Sequence, residues 1–314
     1  MPDIIVASYD TATVGVFLNL GNGSFLAQVT YSTGSGPNAV GIADVNSDSK
    51  PDIIVANQNS NNVGVFLNTG NGTFLSQTTY PASTNPHTLT LVDVNSDTKP
   101  DIIVTNYGGS SVSVLFNAGN GTFLSQILYS TGNGPSGVVA VDVNSDNKPD
   151  IIVANYGSAT VSVLLNVGNG TFLSQTTYMV GTGPFMVVVV DVNSDSKPDI
   201  IVTNYGSNNV GVLLNAGNGT FLSQTTFGTS TSPAGLAVAD VSNDNKPDII
   251  VSNQGSANVG VLLNAGNGTF ITQVIYAAGA SPRSAALVDV NNDGELDIVA
   301  SNSGGSSISV LFHC

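Results

Sequence analysis

The nine residues Asp44-Val45-Asn46-Ser47-Asp48-Ser49-Lys50-Pro51-Asp52 set oxygen-bearing side chains at positions 1, 3, 5 and 9 of one short loop. In a tight loop alternate side chains converge, and the carbonyl of position 7, here Lys50, can join them. Oxygen-only coordination suits a hard cation, and a loop this flexible suits Ca2+ better than the small, rigidly octahedral Mg2+. The pattern recurs as Asp93, Asn95, Asp97, Lys99 and Asp101, then as Asp142, Asn144, Asp146, Lys148 and Asp150. It continues as Asp191, Asn193, Asp195, Lys197 and Asp199, and as Asp240, Ser242, Asp244, Lys246 and Asp248. The last copy is Asp289, Asn291, Asp293, Glu295 and Asp297.

Six loops with three Asp each hold 18 of the 21 acidic residues. Carboxylates crowded in this way repel one another unless a cation lies between them. Six structural Ca2+ ions would bring the formal charge from −15 to −3. Every lysine of the chain stands at position 7, where its carbonyl would face the ion and its ammonium the solvent. The competing reading is a metal-free loop closed by Asx turns. An EF-hand is excluded, because position 12 is Val55 and not a bidentate Glu.

The elements that carry these loops repeat without insertion or deletion. Asp3, Asp52, Asp101, Asp150, Asp199, Asp248 and Asp297 each precede an apolar run and lie 49 residues apart. Within one unit, a first apolar run (39–43) leads through the acidic loop into a second, Ile53-Ile54-Val55-Ala56. A polar turn leads to a third run, Val63–Leu67, and Asn71-Gly72 supplies the positive φ angles of a tight hairpin. The run Thr73–Tyr80 reads as a fourth strand, and the Pro86 segment returns the chain to the next unit. The continuous apolar first run, most evident in Val187–Val190, reads as a strand buried on both faces. Four short antiparallel strands repeated at this length predict an all-β fold, a β-propeller. A lone four-stranded sheet cannot cover both of its faces, whereas radial stacking does. Seven second-to-third-strand hairpins favour seven blades over six, with incomplete blades at both ends. Residues 1–314 form a single array, which opens in mid-loop at Met1-Pro2-Asp3 and reads as part of a longer one.

Composition narrows the function. Six basic against 21 acidic residues excludes an electrostatic nucleic-acid binder. No apolar stretch is long enough for a membrane-spanning helix. His87 and His313 are isolated, expected at the surface or an edge, and no nucleophile–base pair is visible, so an enzyme is not expected. Asn22, Asn71, Asn120, Asn169, Asn218 and Asn267 each begin Asn-Gly-Ser/Thr, a glycosylation sequence that the hairpin alone already explains. The residue after the return-loop proline differs in each unit: Asn38, His87, Ser136, Phe185, Ala234 and Arg283. Tyr107, Tyr156 and Tyr205, with Gln58 and Gln254, open the second-to-third-strand turns. In a propeller both sets emerge opposite the acidic loops, and binding residues concentrate on loops held by a rigid scaffold. Neutral drift at a tolerant loop is the alternative.

The stretch Asp-x-Asn-x-Asp-x-x-Pro-Asp-Ile-Ile-Val (191–202), followed by Val-x-Val-Leu-Leu-Asn-x-Gly-Asn-Gly-Thr-Phe (210–221), resembles the VCBS or FG-GAP-like repeat. That repeat also builds the N-terminal propeller of integrin alpha chains. The resemblance spans the chain and implies a propeller, commonly seven-bladed, with calcium in the loops of one face and ligands elsewhere. One departure is at loop position 6, where the family has Gly and only Gly294 conforms. Ser49, Thr98, Asn147, Ser196 and Asn245 stand there in the others; if the backbone needs positive φ, Asn tolerates it, but Ser and Thr would be strained. The expected function is a calcium-stabilised extracellular or cell-surface interaction or adhesion module for a protein or glycan. A calcium-dependent lectin is the alternative, and a polysaccharide-degrading enzyme is less favoured.

Overall fold

The computed structural model describes residues 2–21 and 23–313. Seven antiparallel sheets follow one another along the chain as the blades of a propeller. Their second strands are Ile4–Ser8, Asp52–Asn57, Asp101–Asn106, Asp150–Asn155, Asp199–Asn204, Asp248–Asn253 and Asp297–Asn302. A complete blade, the second, orders its strands outward as Pro37–Ala43, Asp52–Asn57, Asn62–Phe66 and Thr78–Pro81. Among the described residues the first blade lacks an innermost strand and the seventh an outermost one. This is the seven-bladed arrangement with incomplete ends, and the six-bladed alternative falls away. No described helix is long and apolar enough to cross a membrane.

Two expectations are corrected. The strand covered on both faces is the second, not the first. Residues 52–57 are buried throughout, whereas Pro184–Val190 is mostly half-buried. The innermost strand faces the axis of the ring, so its neighbours cover it only in part. The run Thr73–Tyr80 is also not one strand. Asn68–Gly70 and Thr73–Phe74 pair as a ribbon of their own, turned by Asn71 at φ 54° and Gly72 at φ 72°. The Leu75 amide then returns to the Leu67 carbonyl at 2.8 Å, and only Thr78–Pro81 joins the blade. No glycine or proline interrupts residues 73–80, so the sequence alone did not mark this crossing.

The core lies between blades. Ile54, Ala56, Val63 and Val65 of the second blade pack with Ile102, Val104 and Leu115 of the third. Each fully buried aliphatic side chain contributes about 1.5–3 kcal/mol, which explains why every second strand is a β-branched run. Gly137 and Gly235 mark where the next blade's backbone presses closest; a Cβ there would lie 2.7 Å from Phe185 O or from Ser284 Cα.

The ribbons join neighbouring blades. Tyr80, Tyr129 and Tyr178 stack edge-on against Phe123, Phe172 and Phe221 of the following blade, with centroids 5.2–5.5 Å apart. The Asn117 amide donates to Val45 O of the preceding blade at 3.0 Å, and Asn166, Asn215 and Asn264 repeat that latch at 2.9–3.0 Å. Asn19 of the first blade makes the same bond to Val290 O of the seventh at 3.2 Å and so closes the ring. His313 stands where the last blade would have the latch asparagine.

Candidate functional site

Antiparallel strands send the acidic loops to one end of the ring and the second-to-third-strand turns to the other. At the acidic end, position 1 is the organising group. Both oxygens of Asp142 accept backbone N–H groups, Oδ1 from Asn144, Ser145 and Asp146 and Oδ2 from Asn147, at 2.6–3.2 Å. Asn144 and Asp146, at positions 3 and 5, accept the amides of Asp146 and Lys148. Asp150, at position 9, is fully buried and accepts Val143 N and Asn166 N at 3.0 and 2.8 Å, tying loop to ribbon.

The other loops follow the same scheme. Asp44, Asp93, Asp191, Asp240 and Asp289 cap their own loops. Asp52, Asp101, Asp199, Asp248 and Asp297 are buried tethers. Position 6 does require positive φ: Ser49 65°, Thr98 69°, Asn147 63°, Ser196 65°, Asn245 63° and Gly294 90°. Position 4 is left-handed as well, as at Ser47 and Ser145.

The lysines depart from expectation. Lys50, Lys99, Lys148 and Lys197 each fold back onto the position-5 carboxylate at 3.3 Å, and Lys246 does so at 2.8 Å. Each lysine head thereby sets a positive charge against the position-5 carboxylate. Hydrogen bonding from Lys246 holds Asp244 below the usual carboxylate range. Burial pushes Asp101 and Asp150 up to about 6 against their two backbone hydrogen bonds, and the other loop carboxylates add to the rise. Among the described residues no three acidic side chains gather into a ready cage. The donor set itself is all oxygen and suits Ca2+ in chemistry, provided that the lysine head gives way.

At the opposite end the return loops and the turns are stitched together. The Gln58, Tyr107, Tyr156, Tyr205 and Gln254 amides donate to the Gly36, Asn85, Gly134, Gly183 and Ser232 carbonyls at 2.8–3.0 Å. All five acceptor residues have positive φ, 54–65°. These five turn residues face the axis, where with Tyr9, Asn38, His87, Phe185 and Arg283 they line a cup of about 380 Å³. The variable residues at 38, 87, 185 and 283 are therefore brought together, but they stand on innermost strands rather than in loops. Ser136 and Ala234 are not part of the cup; both are fully buried. Ser136 Oγ lies 2.7 Å from the Phe185 carbonyl oxygen and holds the next innermost strand.

The cup has two unlike sides. His87, Tyr107, Tyr156, Phe185 and Tyr205 form one continuous aromatic arc with neighbouring centroids 5.5–6.4 Å apart. His87 is not a surface histidine: it is 6% exposed, and burial, with the Arg283 charge nearby, lowers its pKa to about 4. Across the cup, Arg283 Nη2 donates to Asn38 Oδ1 at 3.1 Å and its Cζ lies 5.8 Å from the Phe185 ring centre. Asn38 in turn donates to His87 O at 2.8 Å. Among the described residues the first blade has no innermost strand, and there the Arg283–Asn38 bond links the seventh blade to the second. Tyr9 was not among the sequence candidates, although it lies 49 residues before Gln58 and so occupies the same turn position. Its hydroxyl donates to Asn59 Oδ1 at 3.2 Å.

The ribbon asparagines Asn71, Asn120, Asn169, Asn218 and Asn267 all have φ of 50–54°, the conformation that the hairpin demands. Asn22 lies outside the described residues.

Together, fold and loops define a seven-bladed propeller built from acidic-loop repeats. FG-GAP-like repeats match the chain six times, over residues 1–55, 44–104, 93–153, 142–202, 191–251 and 243–300, and the chain belongs to this family. No curated protein matches its sequence. Among solved structures it is similar to a lectin of Agrocybe aegerita described as recognising non-reducing terminal N-acetylglucosamine, at 20% identity and TM-score 0.65, covering 99% of this chain and 90% of the lectin. A streptogramin B lyase is similar at 15% identity and TM-score 0.68, over 99% of this chain and 89% of the lyase. The N-terminal part of BBS1, solved in complex with ARL6, is similar at 13% identity and TM-score 0.65, over 99% and 92%. At such identities the likeness is one of fold.

Proposed function

We propose that this chain is a calcium-stabilised extracellular recognition module that binds a glycan or protein at its axial cup. The observation that carries this reading is the convergence of the residues that differ between otherwise matching repeats. Asn38, His87, Phe185 and Arg283 meet in one cavity, together with Tyr107, Tyr156 and Tyr205. A binding role is favoured over catalysis by the chemistry of the lining, which is amide, phenol, aromatic ring and guanidinium. Its one imidazole is buried between Phe185 and Tyr107, with no carboxylate in the lining to pair with it.

Up to six structural Ca2+ ions belong to the acidic loops, held by positions 1, 3, 5 and 9 and the position-7 carbonyl. Bound there, the ion would neutralise the clustered carboxylates. Six left-handed non-glycine residues at position 4 and five at position 6 support such a role. Seven of them are Ser or Thr, each costing about 1–2 kcal/mol, and a shared ion would offset that strain. Sites of modest affinity fill at the millimolar calcium found outside cells, which supports the extracellular reading. A lectin whose calcium touches the sugar is less favoured, because the acidic loops and the tyrosines occupy opposite ends of the ring.

Thermal melting tests the calcium half. Calcium at 100 times its Kd stabilises by about 2.7 kcal/mol per site, so Tm should rise by many degrees between EDTA and millimolar CaCl2. An unchanged Tm would remove calcium from the account. A glycan array probed with the native chain and with Tyr156→Ala tests the cup. Binding lost in the variant but kept in EDTA supports the cup; binding lost only in EDTA supports the calcium-dependent lectin.

A further inference from the structure

We propose that the axial cup selects an acidic sugar, a uronate, holding its carboxylate on Arg283 and laying its ring on the tyrosine arc. The proposal rests on the reading of the cup as the binding surface and adds the charge and class of the ligand.

The first argument is the distribution of positive charge. The chain has six lysines and arginines in all. Five are ion-paired with aspartates at the acidic end. The sixth, Arg283, is half-buried at the far end and has no carboxylate within 4 Å among the described residues. A guanidinium offers five N–H donors in a planar fork suited to a carboxylate, and here Asn38 Oδ1 takes one of them. Holding a desolvated cation without a counter-ion is costly. In a chain of net charge −15 with 21 carboxylates to draw on, leaving this one unpaired points to an anion supplied from outside.

The second argument is the surface beside it. The Tyr107, Tyr156 and Tyr205 hydroxyls have no hydrogen-bond partner among the described residues. With the Gln58 and Gln254 amides they offer the donors and acceptors that a polyhydroxylated ring needs, next to aromatic faces that its C–H groups can cover. A cavity of about 380 Å³ has room for one or two such rings. An aromatic cage of this kind would otherwise suit a quaternary ammonium ion. Arg283 already occupies that role against Phe185, and its charge repels a second cation.

Titration calorimetry at low ionic strength with D-glucuronate, D-glucose and choline decides the matter, with Arg283→Gln, Arg283→Lys and Tyr156→Ala as variants checked for folding by melting. Glucuronate should bind the native chain at least about tenfold more tightly than glucose. Arg283→Gln should erase that preference, Arg283→Lys should keep part of it, and Tyr156→Ala should weaken both sugars. Equal binding of the two sugars, both lost in Tyr156→Ala, would overturn the uronate assignment and leave the cup as a binding surface. Preferential choline binding, or no glucuronate binding up to about 50 mM, would overturn it as well. Glucuronate binding that is indifferent to Tyr156→Ala would move the site away from the cup and defeat both readings.

Discussion

The two ends of the ring are built from the same repeat and treat it in opposite ways. At the acidic end, Asp101, Asp150 and Asp199 do the same work in the same geometry, each accepting two backbone amides at 2.8–3.1 Å. At the axial end the corresponding positions hold Asn38, His87, Ser136, Phe185, Ala234 and Arg283, and no two do the same thing. Parts that each blade needs for itself can be identical in all. The innermost-strand side chains that converge on the axis differ instead, while the turn residues beside them repeat as Tyr107, Tyr156 and Tyr205 and as Gln58 and Gln254. Fully buried Ser136 and Ala234 stand in the units on either side of the one containing Phe185, so large and small alternate towards the axis. Part of the variation is therefore steric, and the remainder makes the cup asymmetric.

That contrast can be broken most sharply by truncating the tethers. Asp101→Ala, Asp150→Ala and Asp199→Ala each strand two buried N–H groups, at about 1–3 kcal/mol apiece. Denaturant unfolding in EDTA should show a loss of about 3 kcal/mol in each variant, alike to within about 0.5 kcal/mol. Unequal losses would mean that the loops are not equivalent.

The next effect separates the ends by pH. His87 has its pKa lowered from 6.5 to about 4, so the unfolded chain takes up the proton first. Its contribution is whole above pH 6.5 and is lost as pH falls towards 4, by about 3 kcal/mol. The difference in unfolding free energy between the native chain and His87→Gln should follow that curve, and a flat difference would place the imidazole in water. In calcium-free protein the buried Asp101 and Asp150 act in the opposite sense. Their raised pKa values favour the folded state as pH falls from about 6 towards 3.8.

The smallest effect tests the strain at the acidic end. Thr98→Gly relieves a β-branched residue at φ 69° and should stabilise by about 1 kcal/mol, the strain relieved less the entropy of glycine. Gly294→Ala should cost a similar amount. A destabilised Thr98→Gly would show that the loop is shaped by more than its backbone.

Most of the fold was legible because it is periodic. The 49-residue spacing, the Asn-Gly pairs and the seven paired runs sufficed for blade number and for the incomplete ends. The crossing at 75–77 was hidden, since no glycine or proline marks Leu75-Ser76-Gln77 where the chain leaves one sheet for another. At the axial end the differences between repeats picked out six positions, four of which meet in one cavity. The sequence could not show that Ser136 and Ala234 turn into the wall or that His87 is buried, because those depend on neighbours one blade away. Tyr9 was legible in register but sits in the truncated first unit, outside the comparison of whole repeats. The lysine fold-back at the acidic end is an electrostatic outcome that spacing does not encode.

The clasp between Asn19 and Val290 has an evolutionary corollary. Since it is the fastening that other adjacent units already use, tandem copying of one unit suffices to supply all of these seams, this one included.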